Sequence, residues 1–200
     1  NAAAAQGDIG ITTSLFPDQN CPPRQSACAQ AVTGADAPGE PEMSDMQLDK
    51  MTFYTQTLAV PARRNVDDPK VLLGAQLFTR AKCASCHIPQ MQTGDHKVAA
   101  IANQNIQPFS DFLVHDMGEG LADGRPDFEA DGQEWRTPPL WGIGLVETVN
   151  KHTNFLHDGR ARNLEEAILW HGGEAENAKE SFRTMPSEER DALIAFLRSL

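Results

Sequence analysis

Cys83, Cys86 and His87 fall within the five residues "CASCH", and each carries a side chain able to act as a nucleophile or a metal ligand. Three chemistries use such a cluster: a metal site, a dithiol that shuttles a disulfide, and an anchor for a cofactor. The spacing Cys-x-x-Cys-His is the attachment signal of c-type haem, in which the two thiols add to the vinyl groups and the adjacent histidine lies under the iron. A structural zinc site would need a second ligand pair at knuckle spacing. The remaining cysteines, Cys21 and Cys28, instead have six residues between them, and the first is followed by Pro22 and Pro23. A thioredoxin-like dithiol opens a helix after a strand, whereas this motif closes a helical pattern and leads into a loop. With 4 Cys and 6 His in 200 residues, the pattern arises by chance in about two chains in a thousand. One covalent haem c, with His87 as proximal ligand, is therefore the expected cofactor.

The elements that must hold this cluster are marked around it. Asp67 or Asp68 caps a helix with Pro69 in its first turn, and Val71, Leu72, Ala75 and Phe78 recur at helical spacing up to the motif. Gly74 and Phe78 share one face of that helix, where the glycine admits a second helix at close range. Asn163 caps "LEEAILWHGG", closed by Gly172 and Gly173, and Ser187 caps "EERDALIAFLRSL". In that last helix Leu193, Phe196, Leu197 and Leu200 form an apolar stripe expected to cross the Gly74/Phe78 face. An earlier helix begins at Ser44, with Leu48, Met51, Tyr54 or Thr55, and Leu58 in period until Pro61. The stretch after Cys83 is dominated by turn formers for about seventy residues, a loop length that needs a surface such as a large buried cofactor to pack on. The fold class expected is mainly α: a cytochrome c-like helical domain over 46–200 around one covalent haem, preceded by an irregular, loop-rich extension over 1–45.

Composition bounds the partners. The net charge of −11 and pI near 4.9 disfavour nucleic acid and anionic membrane, and leave a basic protein partner open. With 15 Gly, 13 Pro and 6% aromatic residues, turns outnumber extended sheet. No apolar run is long enough to span a bilayer, and "NAAAAQGDIGITT" lacks the basic start and apolar centre of a signal peptide. The first residue is not Met, as in a processed product or a piece of something longer. Haem attachment of this type takes place outside the cytoplasm, so a periplasmic or otherwise extracytoplasmic location is expected. There Cys21 and Cys28 can pair as a disulfide, the alternative being two free thiols.

From "LFTRAKCASCHIPQMQTG" through "PFSDFLVHDMGEGLADG", "EWRTPPLWGIGL" and "FLHDGRARNLEEAILWHGGEA" to "LIAFLRSL", the chain resembles the di-haem oxidoreductase family. It is similar, more distantly, to bacterial di-haem cytochrome c peroxidases and their MauG relatives. "GDIGITTSLFP" and "LAVPARR" belong to the same resemblance, which covers nearly the whole chain. Family members carry two Cys-x-x-Cys-His motifs and this chain carries one, so the resemblance implies a second haem domain upstream. By analogy with the peroxidases, the present chain would be the half that accepts electrons from a redox donor protein and relays them.

The resemblance also implies roles for single residues. Arg136 in "WRTPPL" corresponds to an arginine that lines the haem and would pair with a propionate. His157 in "LHDGR" corresponds to a histidine in a turn near the haem edge, with a structural hydrogen bond as its other reading. In the peroxidases a distal methionine lies fourteen residues after that turn histidine, and fourteen after His157 is His171, which makes His171 the expected sixth iron ligand. Met117 in "VHDMG" is the alternative ligand, and an open site the third. Trp135, Trp141 and Trp170 are candidate walls of the haem site. Glu165 and Glu166 read as first-turn helix charges.

Three functions remain in competition on these grounds: an electron-transfer domain of a larger di-haem oxidoreductase, a free-standing monohaem carrier with methionine ligation, and a single-haem peroxidase with one open face. Six-coordinate iron favours electron transfer and an open axial position favours peroxide chemistry.

Overall fold

Asp68 stands extended before a proline, and its carboxylate accepts the Lys70 N–H at 2.7 Å, so the helix that leads to the cysteine motif starts where its first free donors are satisfied. The computed structural model describes residues 1–37 and 39–200. Among these the chain is mainly α-helical and divides into two units, Asn1–Ala59 and Val60–Leu200.

The first unit holds α1 (Ala2–Ile9), the short α2 (Ser26–Ala29) and α3 (Asp45–Thr57). α1 lies inside the stretch expected to be irregular. Its alanines give no apolar period to read, yet Ala2 and Ala5 pack with Met43 and Leu48. Ser44 and Gln47 form a full capping box at the start of α3. Of the apolar residues periodic along α3 only Leu48 is buried, while Met51, Tyr54 and Leu58 are exposed. The Glu42 carboxylate accepts the Thr12 N–H at 2.9 Å and the Gly34 N–H at 2.8 Å. The Thr12 bond, then the Gly34 bond, hold its pKa below the ordinary carboxylate value. Cys21 and Cys28 are joined as a disulfide with Cα atoms 5.8 Å apart.

In the second unit α4 (Pro69–Arg80) precedes four short strands paired two by two: β1 (Met91–Gln92) with β2 (Asn105–Ile106), and β3 (Val114–Asp116) with β4 (Glu134–Arg136), both antiparallel. Four helices follow, α5 (Val146–Asn150), α6 (Leu164–Leu169), α7 (Glu176–Arg183) and α8 (Ser187–Ser199). α8 crosses α4 at Gly74, where a Cβ would lie 2.0 Å from the Ala192 carbonyl oxygen and 2.6 Å from the Phe196 Cβ. Leu193, Phe196, Leu197 and Leu200 are all buried at this crossing, with Val71, Leu77 and Phe78 opposite; Leu72, periodic with them in sequence, is exposed. Phe78, Phe109 and Phe196 stack on one another with ring centroids 5.3–6.0 Å apart. At the far end of α8 the Arg64 guanidinium donates to the carbonyls of Arg198 and Leu200, each at 2.7 Å, satisfying acceptors the helix leaves over. The cap of α8 differs from expectation: Pro186 holds the cap position and Ser187 is already helical, without a capping hydrogen bond.

Candidate haem site

α4 ends at Ala81, and Lys82, at φ +69°, turns the chain back so that Cys83–Ser85 forms a single 3-10 turn. The His87 N–H closes this turn on the Cys83 carbonyl at 3.0 Å. The segment Pro108–Asp111 then runs alongside: the Ser110 N–H donates to the Ile88 carbonyl at 3.1 Å and the Asp111 N–H to the Cys86 carbonyl at 2.8 Å. Ser110 is wholly buried, its hydroxyl donating to the Thr137 carbonyl at 2.7 Å and accepting the Phe112 N–H at 2.8 Å. Phe109 and Phe112 both sit at positive φ, a cost that these bonds offset.

Both motif thiols are free and half-buried. Burial pushes the Cys83 thiol up to about 11, and burial, then the nearby Asp111 and Glu174 carboxylates, raises Cys86. Both cysteines therefore remain protonated thiols at neutral pH. His87 Nδ1 lies 2.9 Å from the Phe109 carbonyl oxygen. A carbonyl only accepts, so Nδ1 carries the proton and Nε2 keeps its lone pair. Burial lowers the pKa of this ring to about 4, with the Phe109 bond opposing, so the imidazole is neutral. His87 is half-buried, and protein packs around the ring closely enough for desolvation to decide its charge.

His171 repeats this arrangement on a different element. It follows α6, and its Nδ1 donates to the Ala167 carbonyl at 2.8 Å, leaving Nε2 with a lone pair. Burial lowers its pKa as well, so this imidazole too is neutral. α6 ends at Leu169 with Trp170 at its cap, so Gly172 and Gly173 lie beyond the helix and do not close it, contrary to expectation. A Cβ on Gly173 (φ +51°) would lie 2.3 Å from the Asp116 carbonyl oxygen, and one on Gly172 would lie 2.9 Å from that of Met117. Two backbones therefore cross directly beside His171.

The model of the family described as "Di-haem oxidoreductase, putative peroxidase" matches residues 1–200. The chain belongs to this family. No curated protein and no solved structure matches it. Family membership makes haem the group to test against the site, and the donor set fits it. Two thiols lie on one turn, and two neutral imidazoles, each oriented by a backbone carbonyl, keep a nitrogen lone pair free.

The remaining residues singled out in sequence occupy varied places in this di-haem oxidoreductase chain. Trp135 stacks on His157 at 3.6 Å with its indole N–H buried and unpartnered among the described residues. Arg136 is exposed on β4. Trp141 meets Phe112, and Trp170 lies partly exposed under the Arg160 guanidinium. Glu165 and Glu166 occupy the first turn of α6, where Glu166 pairs with Arg162. Sequence reasoning missed Asp111 and Glu174, which flank His115. Its Nε2 lies 2.8 Å from Asp111 Oδ2 and its Nδ1 2.9 Å from Glu174 Oε2. Cys86, Asp111 and His115 form one close cluster. The Asp-x-x-x-His spacing was available as a signal; Glu174, 59 residues beyond His115, had none.

Proposed function

We propose that this chain is the electron-transfer haem domain of a di-haem oxidoreductase. Cys83 and Cys86 would hold one haem c, His87 and His171 would be its iron ligands, and the domain would relay electrons to a second haem in an upstream domain of the complete protein. The observation that carries the reading is the two neutral imidazoles, each with Nδ1–H fixed on a backbone carbonyl and Nε2 free. Haem held there would supply a one-electron couple, at a lower potential than imidazole with thioether would give. The protein's part is to fix the two rings before and after electron transfer, so that little reorganisation accompanies the change of charge. The Phe109 and Ala167 carbonyls do this, and by polarising the N–H bonds they also raise ligand basicity. Phe78 packs against the His87 ring and keeps its side of the site apolar. Arg136, exposed and near Trp135 and His115 on the β3–β4 ribbon, is available to a propionate, with His157 beside Trp135 at the same edge.

The Cys21–Cys28 disulfide supports an oxidising, periplasmic or otherwise extracytoplasmic setting. The acidic surface suits a basic redox donor, and among the described residues no helix is long and apolar enough to cross a membrane. A second reading, methionine ligation by Met117 in a monohaem carrier, draws on the close approach of its backbone to Gly172, next to His171. Acid-acetone extraction, which removes non-covalent haem, separates the possibilities at the level of attachment. The haem should stay on the parent protein and be lost from a Cys83→Ala/Cys86→Ala double variant. Extractable haem, or zinc in its place, overturns the proposal.

A further inference from the structure

The hydrogen bonds around His115 join the two sides of the site. On one side Asp111 belongs to the segment that runs beside the cysteine motif: its N–H donates to the Cys86 carbonyl at 2.8 Å, and it lies two residues after Phe109, whose carbonyl holds His87. On the other side Glu174 lies three residues after His171, and besides accepting from His115 it accepts the Asp116 N–H at 3.2 Å. The two close partners of His115 are carboxylates, which only accept, so the ring serves both by donating from each nitrogen, while the Cys86 sulfur lies farther off, 3.9 Å from Nδ1. Side-chain exposure grades the bridge: 7% at Asp111, 17% at His115 and 57% at Glu174, so its anchored end is the His87 side and its releasable end the His171 side.

We infer that Asp111, His115 and Glu174 form a positioning bridge that sets the separation between the His87 loop and the His171 segment, and so governs whether His171 engages the iron. The inference rests on the two-histidine reading above. The Gly172–Gly173 crossing lets the His171 segment lie directly on Asp116 and Met117, but a backbone crossing without side chains has little to resist sliding. Glu174 supplies the directional tie. Its exposed end contributes modestly, as partly solvated ion pairs do, so removing it loosens the segment without unfolding the unit. His115 is buried further, and its loss leaves Asp111 Oδ2 without its imidazole partner, while Oδ1 keeps the Leu113 N–H at 2.9 Å.

The test compares haem-loaded parent with Glu174→Ala, Glu174→Gln, His115→Asn, a Glu180→Ala charge control and His171→Gly. The readouts are the ferric spin state and the rate of cyanide binding. Glu174→Ala is expected to gain a high-spin fraction and bind cyanide at least five-fold faster, and His115→Asn at least ten-fold faster. Glu174→Gln, which keeps the shape and one acceptor oxygen, should fold normally and fall between parent and Glu174→Ala, and Glu180→Ala should match the parent. If His171→Gly turns high-spin while Glu174→Ala and His115→Asn stay within two-fold of the parent, the bridge is refuted and the ligand assignment stands. If His171→Gly itself matches the parent, the ligand assignment fails and takes the bridge with it.

Discussion

Replacing Gly74 by alanine sets two effects of known sign against each other. In a helix interior alanine is favoured over glycine by about 1 kcal/mol, so propensity alone predicts stabilisation. At this position, however, the new Cβ would lie 2.0 Å from the Ala192 carbonyl oxygen and 2.6 Å from the Phe196 Cβ. Ordinary contact begins near 3.4 Å, so α4 and α8 must part by more than 1 Å, and backbone cannot step aside as a flexible side chain would. Such overpacking costs about 3 kcal/mol, which leaves a net loss of about 2 kcal/mol. Gly7 in α1 has nothing within 4 Å of its Cβ position, so Gly7→Ala feels propensity alone and should stabilise the first unit by about 0.5–1 kcal/mol. Urea unfolding resolves the two cases, because all three tryptophans lie in the second unit and the single tyrosine, Tyr54, in the first. A Gly74→Ala protein whose tryptophan transition is unchanged or shifted to higher urea would refute the crossing argument. Because α4 leads directly into Cys83, the same variant should also load less haem.

Three further outcomes follow from single contacts. Ser110→Ala strands the Thr137 carbonyl and the Phe112 N–H in the interior, and should cost about 2 kcal/mol in urea unfolding. A loss under 0.5 kcal/mol would mean the hydroxyl does not tie the two loops together. Removing the Cys21–Cys28 disulfide frees a short loop and should lower the stability of the first unit by about 2.5 kcal/mol; thiol titration of denatured, unreduced holoprotein should find no free cysteine. For Glu42 the pKa is lowered by folding, so its contribution is present above the unfolded value of 4.5 and fades as pH falls through the lower folded value. Glu42→Gln should flatten this acid dependence of the tyrosine-reported transition, and an unchanged pH profile would show that Glu42 is not its source.

What sequence could show depended on whether a signal was local. The caps at Ser44, Asp68 and Asn163, with Pro69 in place, mark helices that form where expected, because a cap needs only its next three residues. The Gly74 crossing was legible because a lone glycine on an apolar face has few other uses. α1 was hidden, since a run of alanines has no apolar and polar side to contrast. α7 was hidden because Phe182 is its one buried residue amid charged neighbours. The pairing of β3 with β4 depends on partners about 20 residues apart, and no local period marks strands of three residues. At the site, the cysteine motif announces itself by spacing. The Phe109 carbonyl that orients His87 is a backbone atom and has no signature in the sequence. Nor does Glu174, whose role exists only because two glycines bring its segment onto Asp116.

The proposal that His87 and His171 both ligate the iron of one covalent haem is tested most directly by the ferric absorption spectrum of purified holoprotein, recorded for the parent and for His171→Gly. The parent should be low-spin without the far-red band of methionine ligation, and the variant high-spin and ready to bind added ligands. A parent that is high-spin or shows the methionine band, or a variant that keeps the parent's low-spin spectrum, would contradict it.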